Sequence, residues 1–90
     1  MRFIWDTRKA ASNLRKHGLS FEEASSVLAD DLAVTSADPD HSFGQSRWIT
    51  FGQSAAGRLL AVSHVDYADM IRIVSARAAT RFERKLYEEG

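Results

Sequence analysis

Residues 47–76 read RWITFGQSAAGRLLAVSHVDYADMIRIVSA and predict three antiparallel β-strands in succession. Aromatic and β-branched residues fill Arg47 to Gln53, Leu59 to Val65 and Met70 to Ala76, as is typical of strands. The short segments Ser54 to Gly57 and Asp66 to Asp69 separate these runs and predict hairpin turns. This meander is expected to form the main part of a sheet.

Two helices are predicted before the meander in the sequence, and one is predicted after it. Gly18 favours the end of the first helix, because glycine readily adopts the positive φ of a C-terminal cap. Phe3-Ile4-Trp5 predicts a first strand, and Leu32 to Thr35 a further one. The N-terminal capping signals are Asp6 for the first helix, Ser20 with Glu23 for the second, and Thr80 with Glu83 for the third. We therefore predict one α+β domain over residues 1–90, with helices against an antiparallel sheet.

The composition is that of a small globular domain. Twelve Lys and Arg residues balance 12 Asp and Glu residues, and 44% of the chain is hydrophobic, which excludes a polybasic tail or an acidic disordered chain. The absence of cysteine excludes disulfides, thiolate nucleophiles and cysteine-ligated zinc. No apolar run approaches the roughly 20 residues that span a bilayer, and no signal-peptide pattern opens the sequence. We expect a cytoplasmic protein without a membrane partner.

The zero net charge conceals blocks of one sign. Residues 1–17 carry five cations against one carboxylate, and residues 71–87 repeat that excess. Residues 18–46 carry six carboxylates and no Lys or Arg. If the two basic segments meet in the fold, they form a cationic surface able to hold a few phosphates. The alternative is a chance distribution of surface charge.

Arginine and histidine in the meander are candidates for phosphate chemistry. Arg72 and Arg77 lie five apart, hence on opposite faces of a regular strand unless a bulge intervenes. Arg58 and His64 share a face by their even spacing, and an imidazole titrates in the range that suits proton transfer. The structural alternatives are that Arg72 and Arg77 reach solvent or pair with Asp66 or Glu83, and that His64 is hydrogen-bonded within the sheet.

The last helix and the two tyrosines supply further candidates. Arg81 and Lys85 lie four apart on one face of that helix, where a solvated surface is the ordinary interpretation. Tyr67 and Tyr87 suit either base stacking and proton donation or ordinary packing. Arginines combined with a histidine, lysine or tyrosine can stabilise a pentavalent phosphate during attack by a ribose 2′-hydroxyl.

Metal ligation has little support in the sequence. The three histidines, His17, His41 and His64, lack the spacing of metal ligands. Asp38, Asp40 and His41 are a weak candidate for a hard cation, and a solvated acidic loop is the stronger interpretation. We therefore predict no metal site and no cofactor.

Several motifs extend the argument to almost the whole chain. The most specific are the run Lys-His-Gly-Leu-Ser-Phe-Glu-Glu-Ala at residues 16–24 and the run Arg-Ile-Val-Ser-Ala-Arg at residues 72–77. The other stretches are Phe3-Ile4-Trp5-Asp6, Asn13-Leu14-Arg15, Asp38-Pro39-Asp40-His41-Ser42, Gly57-Arg58-Leu59-Leu60, Ala79-Thr80, Glu83-Arg84 and Tyr87-Glu88. In these motifs and their order the chain resembles the BrnT family of toxins from type II toxin–antitoxin modules.

The resemblance implies a RelE-like fold and a metal-independent endoribonuclease of the mRNA interferase type, which cleaves RNA and inhibits translation. It also implies a BrnA-like antitoxin, a heterotetramer with that antitoxin, and contact with operator DNA only through the antitoxin. With the residue-level candidates it gives a predicted catalytic set and a predicted RNA-binding set. The catalytic set is Arg58, Arg72, Arg77, Lys16, His64 and Tyr67, and the RNA-binding set is Arg81, Arg84, Lys85, His17 and Tyr87.

Two departures from the family pattern leave another function open. Phe43 to Ser46 stands where relatives often have acidic residues, and the turn at Tyr67 lacks a charge that they often carry. The alternative is a non-catalytic subunit of the same fold that acts in antitoxin binding and operon co-repression. A third hypothesis is a ribosome-docked RNA binder. If the composite site exists, Arg58, Arg72 or Arg77 should share an open surface with Lys16 or His64.

Overall fold

The computed structural model describes residues 2–38 and 46–90. Its elements in chain order are β1 (Arg2–Ile4), α1 (Thr7–His17), α2 (Phe21–Val27), β2 (Val34–Ala37), β3 (Arg47–Gln53), β4 (Leu59–Tyr67), β5 (Met70–Ala78) and α3 (Arg81–Glu89). The predicted helices and meander strands are confirmed, whereas β2 starts later than predicted. Asp40 and His41 of the weak cation candidate lie outside the described residues, as do Phe43 to Gln45. Within the described part of the chain, no helix is long and apolar enough to cross a membrane.

Five strands form one mixed sheet in the order β1-β5-β4-β3-β2. Strands β2 to β5 pair antiparallel, but β1 pairs parallel with β5, with Phe3 opposite Ile71. The prediction of a purely antiparallel sheet is therefore wrong at this edge. A three-residue apolar run does not specify its own direction, and a parallel neighbour requires the long connection that α1, α2 and the other strands provide here.

The helix ends follow the capping signals. The Asp6 carboxylate accepts hydrogen bonds from the amides of Arg8 and Lys9 at 2.8 and 3.2 Å. Gly18 closes α1 with a φ of 68°. At α3 the reciprocal capping box between Thr80 and Glu83 is complete. The turn at Gly18 places the end of α1, and with it His17, beside the start of α2.

The core lies between α2 and one face of the sheet. Phe21, Ala24 and Val27 of α2 are fully buried against a cluster of sheet residues. That cluster consists of Leu60, Val62, Ile71, Ile73 and Ala76, with Leu19 completing it. A Cβ atom at Gly52 would lie 3.0 Å from Val27, so the absence of a side chain there permits the close approach of α2 to β3.

A buried asparagine attaches α1 to the edge of β5 beyond the end of β1. The Asn13 amide nitrogen donates to the carbonyls of Ala76 and Leu19 at 2.9 and 3.1 Å, and its oxygen accepts from the Ala76 amide at 3.1 Å. The side chain thus satisfies both backbone groups of Ala76, as a neighbouring strand would.

A bulge in β5 determines which face its arginines occupy. Ser75 pairs with Ser63, but Ile73 pairs with His64, so Val74 is an extra residue in β5. Arg77 pairs with Ala61 and Arg72 with Val65. Directly opposed residues share a face, and residues 61 and 65 are an even number apart in β4. Arg72 and Arg77 therefore lie on the same face of the sheet, contrary to the expectation for a regular strand.

Candidate functional site

A cleft of about 430 Å³ opens where β3 ends, β4 begins and α3 crosses the end of the sheet. Four predicted site residues line it: His17 from the end of α1, Arg58 beside β4, and Arg84 and Tyr87 from α3. Leu19, Leu59, Leu60 and Ala78 supply its apolar lining, and Glu88, Gln53 and Gly57 complete it. The fold thus brings together basic and aromatic side chains from three distant parts of the sequence.

Arg58 is anchored at one edge of this cleft by Glu23. Its Nε donates to Glu23 Oε2 at 2.9 Å, and its Nη2 pairs with Oε1 of the same carboxylate. Ser54 also donates to Glu23, at 2.7 Å. Hydrogen bonding by Arg58 holds the pKa of Glu23 below its ordinary value, and the pair raises the pKa of Arg58. The Arg58 side chain is nevertheless 52% exposed, so the anchored guanidinium still faces solvent.

Tyr87 is oriented by Asp30. Its hydroxyl donates to Asp30 Oδ2 at 2.6 Å, and the same oxygen accepts from the Gln53 amide at 2.8 Å. The hydrogen bond to Asp30 raises the pKa of Tyr87, so the phenol stays neutral at physiological pH. Because its hydroxyl is engaged, Tyr87 presents its ring rather than a free proton donor.

Arg72, Arg77 and Tyr67 belong to a different surface, the sheet face defined by the bulge. Tyr67 follows Val65 by two residues in β4 and so shares that face. Arg77 donates to both oxygens of Glu83, at 2.7 and 2.9 Å, in a bidentate pair. That hydrogen bonding lowers the pKa of Glu83 and raises the pKa of Arg77.

His64 is buried within the sheet, with 3% of its surface exposed. Its Nε2 lies 2.7 Å from the Thr50 hydroxyl and its Nδ1 lies 2.8 Å from Asp66 Oδ1. Thr50 in turn lies 2.8 Å from the hydroxyl of Thr35 in β2. The four side chains form a chain of hydrogen bonds across three strands. The catalytic role of His64 remains a prediction.

Other predicted residues are distributed around the cleft without entering it. Lys16 lines a smaller groove of about 210 Å³ between α1 and β5, which shares only His17 with the cleft. Arg81 and Lys85 are exposed on α3. The grouping expected from the sequence, an arginine beside Lys16 or His64, is thus replaced in the cleft by Arg58 beside His17.

Sequence reasoning missed the acidic partners of the site. The sequence indicates a capping role for Glu23 and assigns no role to Asp30, yet these residues hold Arg58 and Tyr87. Nothing local identifies these pairings, because the partners are 35 and 57 residues apart in sequence. Among residues 2–38 and 46–90, no three His, Asp or Glu side chains are placed to hold a metal ion.

The α+β architecture is shared with a crystal structure of the Brucella abortus ribonuclease toxin BrnT determined at 1.1 Å resolution. The match has a TM-score of 0.65 and 24% sequence identity, and it covers 90% of this chain and 99% of that one. Residues 5–83 match the family described as ribonuclease toxin, BrnT, of type II toxin–antitoxin systems, and the chain belongs to this family. No curated protein matches the sequence.

Proposed function

We propose that this chain is a metal-independent endoribonuclease with a RelE-like fold, which cleaves mRNA in the cytoplasm and thereby inhibits translation. A BrnA-like antitoxin neutralises it in a heterotetramer and alone contacts operator DNA. The observation that carries the proposal is the cleft in which Arg58, Arg84 and His17 converge in a member of a ribonuclease toxin family.

The cleft has the groups that RNA cleavage by an internal nucleophile requires. The ribose 2′-hydroxyl attacks the adjacent phosphorus, the bond to the 5′-oxygen breaks, and the products are a 2′,3′-cyclic phosphate and a 5′-hydroxyl end. Negative charge builds up on the non-bridging oxygens, where the guanidinium groups of Arg58 and Arg84 donate hydrogen bonds. His17 takes the proton of the 2′-hydroxyl, since an imidazole is effective as a base near neutral pH. Water in the open cleft supplies the proton that the departing 5′-oxygen takes up, because the Tyr87 hydroxyl is engaged with Asp30.

The remaining predicted residues extend the contact with RNA beyond the cleft. The ring of Tyr87 provides a surface on which a base stacks. Lys16, on the far side of His17, meets a neighbouring phosphate. The RNA continues from the cleft onto the sheet face, where it contacts Arg72, Arg77 and Tyr67. These residues contribute to affinity rather than to the chemical step.

Cleavage of a defined RNA oligonucleotide in the presence of a chelator tests the proposal. Arg58→Ala and Arg84→Ala should each reduce the rate by about 100-fold, the effect of removing one donor to a developing oxyanion. Arg15→Ala is the matched control, because Arg15 is an exposed arginine of α1 outside the cleft lining. Rates equal to wild type in both cleft variants would refute the assignment.

Induced expression without antitoxin separates this function from the alternative. A ribonuclease toxin should arrest growth and degrade transcripts. Healthy growth with intact RNA at good soluble yield would instead support a non-catalytic subunit that binds antitoxin and assists repression of the operon.

A further inference from the structure

We propose that an apolar patch on α3, formed by Phe82 and Leu86, is a docking surface for the antitoxin. The segment that it binds would carry apolar side chains next to carboxylates. This inference rests on the antitoxin partner in the proposed function, but it does not depend on catalysis by this chain.

The patch is exposed although it is strongly apolar. Phe82 is 68% exposed and Leu86 is 41% exposed. The two residues lie four apart in α3 and are therefore adjacent on the helix surface. None of the nine residues of α3 is buried, and a helix of that length has marginal stability on its own. Covering the patch removes apolar surface from water and stabilises the helix at the same time.

The patch is also distinct from the cleft. Arg84 and Glu88, which line the cleft, each follow a patch residue by two positions. Two residues rotate an α-helix by about 200°, so the patch lies opposite Arg84 and Glu88 on α3. Tyr87, the third cleft residue of α3, follows Leu86 by one position and lies between the two sides. A partner seated on Phe82 and Leu86 consequently leaves Arg84 and Glu88 uncovered.

The charge beside the patch indicates the chemistry of the partner. Arg81 precedes Phe82, and Lys85 lies within one turn of both patch residues. Glu83 borders the other side, but its side chain is only 13% exposed and is paired with Arg77. The accessible charge along the patch is therefore positive, apart from Glu89 near the end of the helix. A partner with carboxylates next to its apolar side chains is complementary to it.

Two other exposed leucines show why the pair is informative. Leu14 is 53% exposed and Leu32 is 70% exposed, and each lies in a separate segment of the chain. Isolated apolar residues of this kind are ordinary on protein surfaces, whereas contiguous apolar patches bordered by polar residues are typical of interaction sites. Leu32 also provides a matched control, since it is as exposed as Phe82.

Affinity for the purified cognate antitoxin, measured by titration calorimetry, tests the surface. Phe82→Ser combined with Leu86→Ser should weaken binding by at least tenfold, whereas Leu32→Ser should leave it within twofold of wild type. Lys85→Glu should weaken binding and reduce its dependence on salt. The same charge reversal at Arg15 in α1 should change neither the affinity nor its dependence on salt. Circular dichroism of each variant confirms folding, which the exposed positions should not disturb.

Three results would overturn the proposal. One is antitoxin affinity within twofold of wild type in the folded double variant. Another is a loss of binding to a non-cleavable 2′-O-methyl RNA with unchanged antitoxin affinity, which would assign the patch to RNA. The third is dissociation of a wild-type homodimer with unchanged antitoxin affinity, which would assign it to a second copy of the chain.

The design also separates this proposal from the catalytic one. Arg58→Ala with Arg84→Ala should abolish cleavage and keep wild-type antitoxin affinity. If the wild-type protein cleaves no RNA but the patch variant loses the antitoxin, the catalytic proposal fails and the docking surface stands.

Discussion

His64 forms hydrogen bonds with both ring nitrogens, which connect it to Thr50 and Asp66. Replacement by Phe keeps an aromatic ring but leaves the buried Thr50 hydroxyl without this partner. The Thr50 hydroxyl keeps its bond to Thr35, but the bonds of His64 to Thr50 and Asp66 are lost. At about 0.5–1.5 kcal/mol each, their loss should lower the free energy of unfolding by about 1–3 kcal/mol. Urea denaturation measures this loss. The control is His17→Ala, at an exposed position, which should change the free energy of unfolding by less than about 0.5 kcal/mol.

The His64→Phe variant also distinguishes a structural histidine from a catalytic one. If His64 acts only within the hydrogen-bond chain, Thr50→Val should destabilise the protein in a similar way and preserve cleavage at temperatures where the protein is folded. A His64→Phe protein with wild-type stability and no cleavage would contradict the structural role and favour the catalytic one.

Glu83 holds Arg77 with both of its oxygens, so it occupies the geometry that an RNA phosphate would use. Glu83→Gln removes the negative charge while keeping an N-terminal cap, because glutamine also serves in a capping box. We expect a severalfold increase in affinity for a non-cleavable RNA, with a steeper dependence on salt. Fluorescence anisotropy measures both. The control is Glu22→Gln, an equal charge change at an exposed position of α2, and equal effects of the two changes would show that the Arg77 pair is not involved.

At the level of the elements, the attachment of α1 to β5 depends on one side chain. Asn13→Ala removes the bonds to both backbone groups of Ala76 and to the Leu19 carbonyl, all of them buried. The expected loss is at least about 2 kcal/mol in the free energy of unfolding. Chemical denaturation measures it, with Ser12→Ala, at the preceding position of α1, as the comparison. An Asn13→Ala protein as stable as the Ser12→Ala protein would mean that water or backbone movement replaces these bonds.

The elements that were predicted correctly are specified by local chemistry. Asp6 and Thr80 identify helix starts because their partners are two or three residues away. The parallel pairing of β1 and the bulge at Val74 involve partners at least nine residues distant, and no short pattern encodes them. The bulge matters most for function, because it alone decides that Arg72 and Arg77 share a face.

Across the whole molecule, the two basic segments do meet. The first basic segment contains β1 and α1, which both contact β5, and β5 and α3 carry the second basic segment. The chemistry of Arg58, His17, Arg84 and Tyr87 was visible in the sequence, but their grouping in one cleft was not. Two carboxylates of the acidic segment, Glu23 and Asp30, turn toward that cleft, so the three charge blocks are joined rather than separate.

The pairing of these carboxylates predicts how the free energy of unfolding depends on acidic pH. The pKa of three carboxyl groups is lowered in the fold by hydrogen bonds. The donor is Arg58 for Glu23, Arg77 for Glu83 and the Gln53 amide for Asp30. A carboxyl whose pKa is lower in the folded than in the unfolded state stabilises the fold fully above its unfolded pKa, and that stabilisation disappears as the pH falls through the folded pKa. The free energy of unfolding should therefore be nearly constant above about pH 5 and decrease steadily toward about pH 3.

Urea midpoints measured over this range check the prediction, and one substitution locates its source. Glu23→Gln removes the titrating carboxylate that pairs with Arg58, so the variant should be less stable than wild type at neutral pH. The difference should shrink as the solution becomes acidic, because wild-type Glu23 is then protonated as well. A difference that stayed constant down to about pH 3 would show that the Arg58 pair contributes through packing rather than charge. Convergence of the two curves would establish that the acidic segment stabilises the cleft by pairing with the arginine on which RNA cleavage is proposed to depend.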